Sequence, residues 1–236
     1  MQFFKFLKTG FLDLLNLFYP NTCLTCNRLL LENENLICHH CLSKMPFTNF
    51  HSGKDNLLYE RLSVVFPIQY ATALLLFHKE GLTQELIHQL KYQNRQDIGR
   101  WLAFWVINNN YTFLNNNCID YIIPVPLHPK KFKKRGYNQL TLFGETISRH
   151  YQISYRENIL LRTVNTSSQT KKSTIERRKN VTGVFQVRQP ELYTGKHFLI
   201  VDDVITTGAT IEACAETILK HIPGAKISVL SMAMVL

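Results

Sequence analysis

The stretch FLIVDDVITTGATI, residues 198–211, decides the fold of this chain. Four apolar residues precede two adjacent carboxylates, Asp202 and Asp203, and a loop of threonine, glycine and alanine follows them. Such an apolar run is typical of a parallel strand that is buried on both faces. The next segment, residues 209–222, has the pattern of a helix that ends before Pro223. We therefore expect a strand, a tight loop and a helix.

Strands and helices alternate over the second half of the chain. The patterns predict strands at 119–127, 157–163, 183–187, 196–203 and 226–235, and helices at 138–151 and 209–222. This alternation predicts an α/β fold in which helices flank a parallel sheet. Upstream, residues 81–107 are helical in period and residues 63–70 have the composition of a strand. Ligands bind at the carboxyl ends of parallel strands, so the paired acids lie at the predicted site.

The TTGAT loop, residues 206–210, has the composition of a phosphate-binding turn. Gly208 lets the backbone turn sharply, and the loop amides converge on one anion with help from the helix N-terminus. The hydroxyls of Thr206, Thr207 and Thr210 add hydrogen-bond donors. The chain contains neither G-x-x-x-x-G-K-[ST] nor G-x-G-x-x-G, which excludes both of those nucleotide-binding fingerprints.

Asp202 and Asp203 indicate what accompanies that phosphate. Carboxylates bind hydroxyl groups, or Mg²⁺ that bridges hydroxyls and phosphate. A sugar phosphate with a vicinal diol satisfies the acids and the loop together. The alternative is a capped helix after a strand, with both acids as ordinary loop residues.

The composition indicates a globular protein with an anionic partner. The 236 residues are 45% hydrophobic, which excludes global disorder. Lys and Arg number 27 against 17 acids, a net charge of +10. The basic residues cluster in KKFKKR (130–135) and KKSTIERRK (171–179). Nucleic acid, anionic lipid or a phosphorylated small molecule would all suit this charge.

Four of the six cysteines form two C-x-x-C pairs. Cys23 and Cys26 form the first pair, and Cys38 and Cys41 form the second. Two such turns complete a tetrahedral site for structural Zn²⁺, in which no ligand position stays open for chemistry. His39 and His40 lie inside the second pair, where we expect solvated neighbours of the site, with competing ligands as the alternative. The isolated Cys118 and Cys214 are predicted to be core residues.

The N-terminal residues 1–20 predict a short amphipathic helix. No apolar run there is long enough to span a bilayer, and no cleavage site for a signal peptide precedes Cys23. We therefore expect a cytoplasmic protein without a transmembrane segment. Peripheral contact with a membrane stays open, because Phe and Lys alternate in this segment.

The sequence VDDVITTGAT resembles the loop of type I phosphoribosyltransferases that binds phosphoribosyl pyrophosphate (PRPP). Nearly the whole chain resembles the ComF family, whose members take part in natural competence for DNA uptake. The resemblance rests on the cysteine pairs, LKYQNR (90–95), PVPLHPKKFKKRGYNQ (124–139), the Q…ERRKN segment (169–180) with Phe185, and FLIVDDVITTGAT. It implies a helix and a four-cysteine zinc module at 1–46, a hood or linker subdomain at 47–115 and a phosphoribosyltransferase-like core at 116–236.

The resemblance also implies roles for individual residues. Asp202 and Asp203 would contact the ribose hydroxyls, directly or through Mg²⁺. The 5′-phosphate would lie on Thr206, Thr207, Gly208, Ala209 and Thr210. Pyrophosphate would lie on the loop 127–139, on Lys134 and Arg135, with Arg177 and Arg178 added when the loop 164–182 closes over the site. Asp202, Asp203 and Arg135 are the expected catalytic residues. Lys91 and Tyr92 are further candidates, with an ordinary pair on a helix surface as the alternative.

Three functions fit these features. The favoured one is a Mg²⁺·PRPP-dependent phosphoribosyltransferase that acts in competence. The second is a competence factor that binds single-stranded DNA through KKFKKRGY, where Phe132 and Tyr137 lie among five cations. The third is a PRPP sensor whose ligand alters a surface for a protein of the competence machinery. The same basic residues serve pyrophosphate or DNA, so the sequence leaves all three open.

Overall fold

The computed structural model describes residues 20–115, 118–163 and 184–236. The chain divides into two compact units with the boundary between Met45 and Pro46. Within the described ranges, no helix has both the length and the apolar composition needed to cross a membrane. The predicted helix over 1–20 and the predicted loop over 164–182 lie outside the described residues, except for Pro20.

The first unit is built from tight turns. Isolated β-bridges join Thr22 to Leu29 and Asn35 to Ile37. A one-turn helix, α1 (His39–Leu42), follows Cys38. The Glu34 carboxylate accepts hydrogen bonds from the backbone N–H groups of Leu31 and His39. These bonds hold the turn that leads into the second cysteine pair.

A five-stranded parallel sheet forms the centre of the second unit. Its strands are β1 (Tyr70–Leu76), β2 (Tyr121–Pro124), β3 (Ser154–Tyr155), β6 (His197–Ile205) and β7 (Lys226–Met234). Their order across the sheet is β1-β7-β6-β2-β3, and every pairing is parallel. A separate antiparallel pair joins β4 (Leu160–Arg162) to β5 (Phe185–Val187). The predicted parallel sheet with flanking helices is confirmed.

The helices of this unit lie against the sheet and each other. They are α2 (Leu57–Ser63), α3 (Leu82–Tyr92), α4 (Asp97–Asn108), α5 (Thr112–Asn115), α6 (Pro129–Arg135), α7 (Thr141–Tyr151) and α8 (Ala209–His221), with a 3₁₀ turn at Pro190–Tyr193. Helix α7 packs on α4 and β2, and α8 packs on β5, β6 and β7. The residues of β6 and β7 are buried almost continuously, so both faces of the central strands are covered.

The strand predicted at residues 63–70 is wrong. At these residues the chain comes out of helix α2. That helix begins after Asn56, and the Asn56 side chain accepts hydrogen bonds from the N–H groups of Leu58 and Tyr59. Val64 is 85% exposed, so the Val-Val dipeptide packs in no sheet. The strand starts at Tyr70 instead, where the apolar run YATALLL pairs with β7.

The basic segment 130–135 is a helix, where we expected a loop. The His128 ring accepts a hydrogen bond from the Lys130 N–H, Pro129 occupies the first turn, and Gly136 ends the helix at φ +77°. None of the residues of α6 is buried, so the helix presents its cations to solvent.

The two isolated cysteines differ in burial. Cys214 is buried as predicted, whereas Cys118 is exposed.

Candidate functional site

The paired acids lie within β6, shortly before its carboxyl end at Ile205. Asp203 is buried and Asp202 is half-buried. The backbone N–H of Asp203 donates to Oδ1 of Asp202 over 2.8 Å. Burial, together with the nearby charge of Asp203, raises the pKa of Asp202 to about 8. A cation or a hydroxyl donor beside Asp202 would therefore stabilise its ionised form.

Asp203 has a partner on each carboxylate oxygen. Nζ of Lys91 lies 2.6 Å from Oδ1. The side-chain amide of Gln139 donates to Oδ2. The other end of that amide, Oε1, accepts a hydrogen bond of 2.7 Å from Nη1 of Arg135. Asp203 thus connects to one cation directly and to a second through Gln139.

Helices α3 and α6 bring those cations to the acid. Lys91 lies in the last turn of α3, and Arg135 is the final residue of α6. The Tyr137 hydroxyl donates to the Leu90 carbonyl oxygen, which ties the end of α3 to the chain after α6. The Arg135 guanidinium also lies over the Tyr92 ring, 5.1 Å from its centroid. Lys91 and Tyr92 are neighbours on α3, and both candidates therefore lie close to Arg135.

A cavity of about 520 Å³ opens beside these side chains. Four cations line it, Lys91, Lys131, Lys134 and Arg135, together with two tyrosines and an asparagine. None of the lining residues is acidic. The cavity therefore suits an anion larger than a single phosphate.

The TTGAT loop forms a second, smaller recess. It holds about 30 Å³ and is lined by Asp202 and residues 204–211. Gly208 has φ +86° and caps the N-terminus of α8. The side chains of Thr206, Thr207 and Thr210 are exposed, so their hydroxyls can meet a ligand from solvent. The recess thus combines backbone amides, a helix N-terminus and hydroxyls, which are the groups that bind a phosphate.

Two residues of α2 support this loop, and no motif in the sequence indicates either of them. Nη1 of Arg61 donates to the carbonyl oxygens of Thr206 and Val235, each over 2.9 Å. Leu62 packs beneath Gly208, where an added Cβ would come within 3.0 Å of its methyl group. The Asn56 cap could have indicated the helix, but no local pattern indicates a contact between residues 145 positions apart.

The structure therefore brings most of the predicted site residues to one edge of the sheet. Asp202 and Ala209 line the small recess with the loop residues, and Lys134 and Arg135 line the large cavity. Gln139 lies in the RGYNQ segment, but that motif does not indicate its link between Asp203 and Arg135. Arg177 and Arg178 lie outside the described residues.

The four paired cysteines converge in the first unit. Their sulfur atoms all lie within 4.8 Å of one another, and Sγ of Cys26 is 3.7 Å from Sγ of Cys38. Zinc–sulfur bonds of about 2.3 Å in a tetrahedron place the sulfurs about 3.8 Å apart, so the cluster fits such an ion. Cys23, Cys38 and Cys41 are buried. The exposed His39 and His40 are not part of this group.

The pKa values of two thiols in this cluster shift in opposite directions. Burial opposes ionisation of Cys23, but hydrogen bonds from Thr25 and from the backbone of Cys38 outweigh it and lower its pKa to about 6. Burial raises the pKa of Cys41 to about 12. A thiolate is the form that binds metals. The convergence of the four sulfur atoms, rather than their protonation, indicates that these cysteines can hold a metal ion, as a structural zinc site requires.

Comparison with known proteins agrees with this architecture. The family model for the phosphoribosyl transferase domain matches residues 147–233. The DNA utilization protein YhgH of Escherichia coli O157:H7 is 31% identical, over 84% of this chain and 84% of its own. Competence protein F of Haemophilus influenzae is 29% identical, over 78% of each chain.

A solved structure of adenine phosphoribosyltransferase from Saccharomyces cerevisiae aligns with a TM-score of 0.37 at 17% identity. The alignment covers 60% of this chain and 72% of that one. The relatives at about 30% identity extend along most of both chains. The chain belongs to the ComF family.

Proposed function

We propose that this protein binds Mg²⁺·PRPP at the carboxyl edge of β6 and acts in the uptake of DNA during natural competence. One observation carries the proposal. Asp202 lines the same recess as the exposed threonine hydroxyls and the capped N-terminus of α8. A phosphate on the loop would therefore bring a pentose next to a carboxylate.

The 5′-phosphate would bind the TTGAT loop. The backbone amides at the start of α8 and the hydroxyls of Thr206, Thr207 and Thr210 supply its donors, and Gly208 and Ala209 let the backbone approach closely. Arg61 and Leu62 would hold the loop in this form without touching the ligand.

The ribose hydroxyls and Mg²⁺ would bind beside the acids. Mg²⁺ prefers carboxylate and phosphate oxygens and keeps several waters, which suits one half-buried carboxylate such as Asp202. Bound Mg²⁺ would supply positive charge to the pyrophosphate group. Asp203 already has a partner on each oxygen, so its contact with the ribose would require one of them to shift.

Pyrophosphate would bind on the basic side of the site. Arg135 and Lys134 line the larger cavity, and the guanidinium of Arg135 is suited to two phosphate oxygens at once. Arg177 and Arg178 would add charge from outside the described residues. These cations would stabilise pyrophosphate as it leaves the anomeric carbon. We therefore propose a phosphoribosyl transfer that requires no protein nucleophile.

The biological role is inferred from the relatives. They are named as a DNA utilization protein and as competence proteins. A ComF protein with a PRPP site would link DNA uptake to a phosphorylated sugar. In the same protein, we propose that zinc is the ion held by the four cysteines, and that it stabilises the first unit.

Calorimetric titration with Mg²⁺·PRPP tests the proposed site. The wild-type protein should bind, and the variant with Asp202→Asn and Asp203→Asn should lose binding while its thermal melt stays cooperative. Asp120→Asn is a matched control, because Asp120 pairs with Lys196 and accepts from the His197 N–H at the start of β6, whereas the tested acids lie near its end. Unchanged affinity in the double variant would refute the assignment.

Turnover is tested separately, by the release of pyrophosphate in the presence of candidate acceptor bases. Release that requires both PRPP and an acceptor supports the transferase. PRPP that is bound and recovered intact after long incubation would instead support a sensor.

Helix α6 favours DNA binding as a second candidate. Four of its five cations are exposed, and Phe132 among them is 50% exposed. A cationic surface with a free aromatic ring suits single-stranded DNA. Fluorescence anisotropy with a labelled oligonucleotide should show an affinity that falls steeply with salt and that drops when Phe132 is replaced by Ala. An affinity independent of salt would exclude this surface as a DNA site.

A further inference from the structure

Lys91 belongs to two features of the site at once. Its ammonium lies 2.6 Å from the Asp203 carboxylate, and its side chain also lines the large basic cavity. The Lys91 side chain is 22% exposed and that of Asp203 is 9% exposed. The ion pair is therefore well shielded, yet the lysine still reaches the open cavity.

The Lys91 ammonium has more N–H donors than its bond to Asp203 uses. A lysine side chain carries three N–H donors and no acceptor. Within the part of the chain that the structure describes, its one hydrogen bond goes to Oδ1 of Asp203. The remaining donors can bind an anion in the cavity while the bond to Asp203 stays intact.

Asp203 organises a second cation in the same way. Its other oxygen accepts from Gln139, which in turn accepts from Arg135. One buried carboxylate therefore orients Lys91 directly and Arg135 through a single amide. Both cations line the cavity, and no acid lines it with them. Asp202 is different, since it lines the phosphate recess.

We propose that Lys91 is a binding residue for the pyrophosphate group, and that Asp203 is a positioning residue that holds Lys91 and Arg135 towards the cavity. The inference rests on the proposed PRPP site and divides the work of the two acids. Asp202 serves the ribose, which PRPP and ribose 5-phosphate share. Asp203 serves mainly the pyrophosphate end, which ribose 5-phosphate lacks.

A comparison of these two ligands tests the inference. Calorimetry should show that Lys91→Met raises the Kd for Mg²⁺·PRPP at least about tenfold, while the Kd for ribose 5-phosphate changes less than about threefold. Lys91→Arg should recover part of the PRPP affinity. Lys220→Gln is the matched control, because Lys220 is an exposed lysine in the last turn of α8, as Lys91 is in the last turn of α3.

The acids should differ in the same assay. Asp203→Asn should weaken PRPP binding more than ribose 5-phosphate binding, whereas Asp202→Asn should weaken both alike. Equal losses for both ligands in Lys91→Met would overturn the inference, as would unchanged PRPP affinity. A wild-type protein that binds no Mg²⁺·PRPP would refute the proposed function itself, so the two failures are distinguishable.

A measurement on the wild-type protein removes any dependence on how Lys91→Met folds. Reductive methylation of lysines, followed by peptide mass spectrometry, reports the access to each amine. Mg²⁺·PRPP should slow the methylation of Lys91 more than ribose 5-phosphate does, and Lys220 should react equally with either ligand. Equal reactivity of Lys91 under both ligands would contradict the contact with pyrophosphate.

Discussion

The Arg61 guanidinium lies 2.9 Å from the carbonyl oxygen of Thr206 and holds the start of the TTGAT loop. The same nitrogen also reaches the carbonyl oxygen of Val235, after the end of β7. One side chain from α2 therefore joins the loop to the last strand of the sheet. Arg61 does not contact the proposed ligand, so any effect of Arg61 on ligand binding would act through the shape of the loop.

Arg61→Ala should weaken the binding of ribose 5-phosphate and of Mg²⁺·PRPP to the same degree, because the proposed site places on this loop the phosphate that both ligands share. The loss of a hydrogen bond to a charged donor predicts a roughly tenfold higher Kd for each. Calorimetry measures it, and Arg100→Ala supplies an exposed arginine on α4 as control. Ligand affinities equal to those of the wild type would show that the loop keeps its shape unaided.

Gly208→Ala should reduce both stability and binding. At φ +86° an alanine is strained, and its Cβ would come within 3.0 Å of Leu62. We expect a loss of about 1–2 kcal/mol in the free energy of unfolding, together with a weaker phosphate site. Denaturant unfolding and calorimetry measure the two effects.

Gly195→Ala separates backbone strain from contact with Leu62. Gly195 has φ +71°, but nothing lies within 4 Å of an added Cβ. The Gly195→Ala variant should therefore lose stability through backbone strain alone and keep its ligand affinity. If Gly208→Ala bound both ligands as tightly as Gly195→Ala does, the loop would not need its tight turn.

The sequence was sufficient for the elements whose pattern is local. The apolar runs of β6 and β7 and the periodicity of α8 predict those elements correctly, because burial on both faces leaves few polar positions in a strand. The strand predicted at residues 63–70 is wrong because its β-branched pair is not buried on both faces. A β-branched pair there is exposed, and pairing with β7 selects the run from Tyr70 instead.

The site was predictable only in part. Loop residues and acids are adjacent in sequence, so their chemistry can be read directly from the pattern. Contacts such as Lys91 to Asp203 and Gln139 to Asp203 span 112 and 64 positions. Only the folded sheet brings such side chains together, so no local pattern could assign their partners.

The raised pKa of Asp202 predicts how stability depends on pH in the ligand-free protein. Burial and the charge of Asp203 raise this pKa to about 8, against about 3.9 for an unfolded aspartate. Between these pH values the folded state holds a proton that the unfolded state releases, so this group lowers stability as pH rises. Above pH 8 the penalty is constant, and below the unfolded value it vanishes.

Asp202→Asn should therefore raise the melting temperature above pH 8 and have little effect near pH 4. For a chain of this size each kcal/mol shifts the melting temperature by about 2–4 °C. Differential scanning calorimetry across this range, without added Mg²⁺, measures the difference between variant and wild type. A difference that did not grow with pH would show that Asp202 ionises normally.

Removal of the proposed zinc ion should unfold the first unit selectively. Chelation should speed hydrogen exchange over residues 20–45, while the strands β6 and β7 keep their protection, because zinc binding supplies folding free energy to the cysteine turns. Cys38→Ser should lower the zinc content of the purified protein, and Cys118→Ser, outside the cluster, should not. Native protein that contained no zinc in metal analysis would end this assignment.

A crystal soaked with Mg²⁺ and PRPP tests the central claim most directly. The account predicts density for the 5′-phosphate on the turn at residues 206–210, ribose beside Asp202 and pyrophosphate near Lys91 and Arg135. Wild-type crystals with an empty recess, or with PRPP bound away from β6, would contradict it.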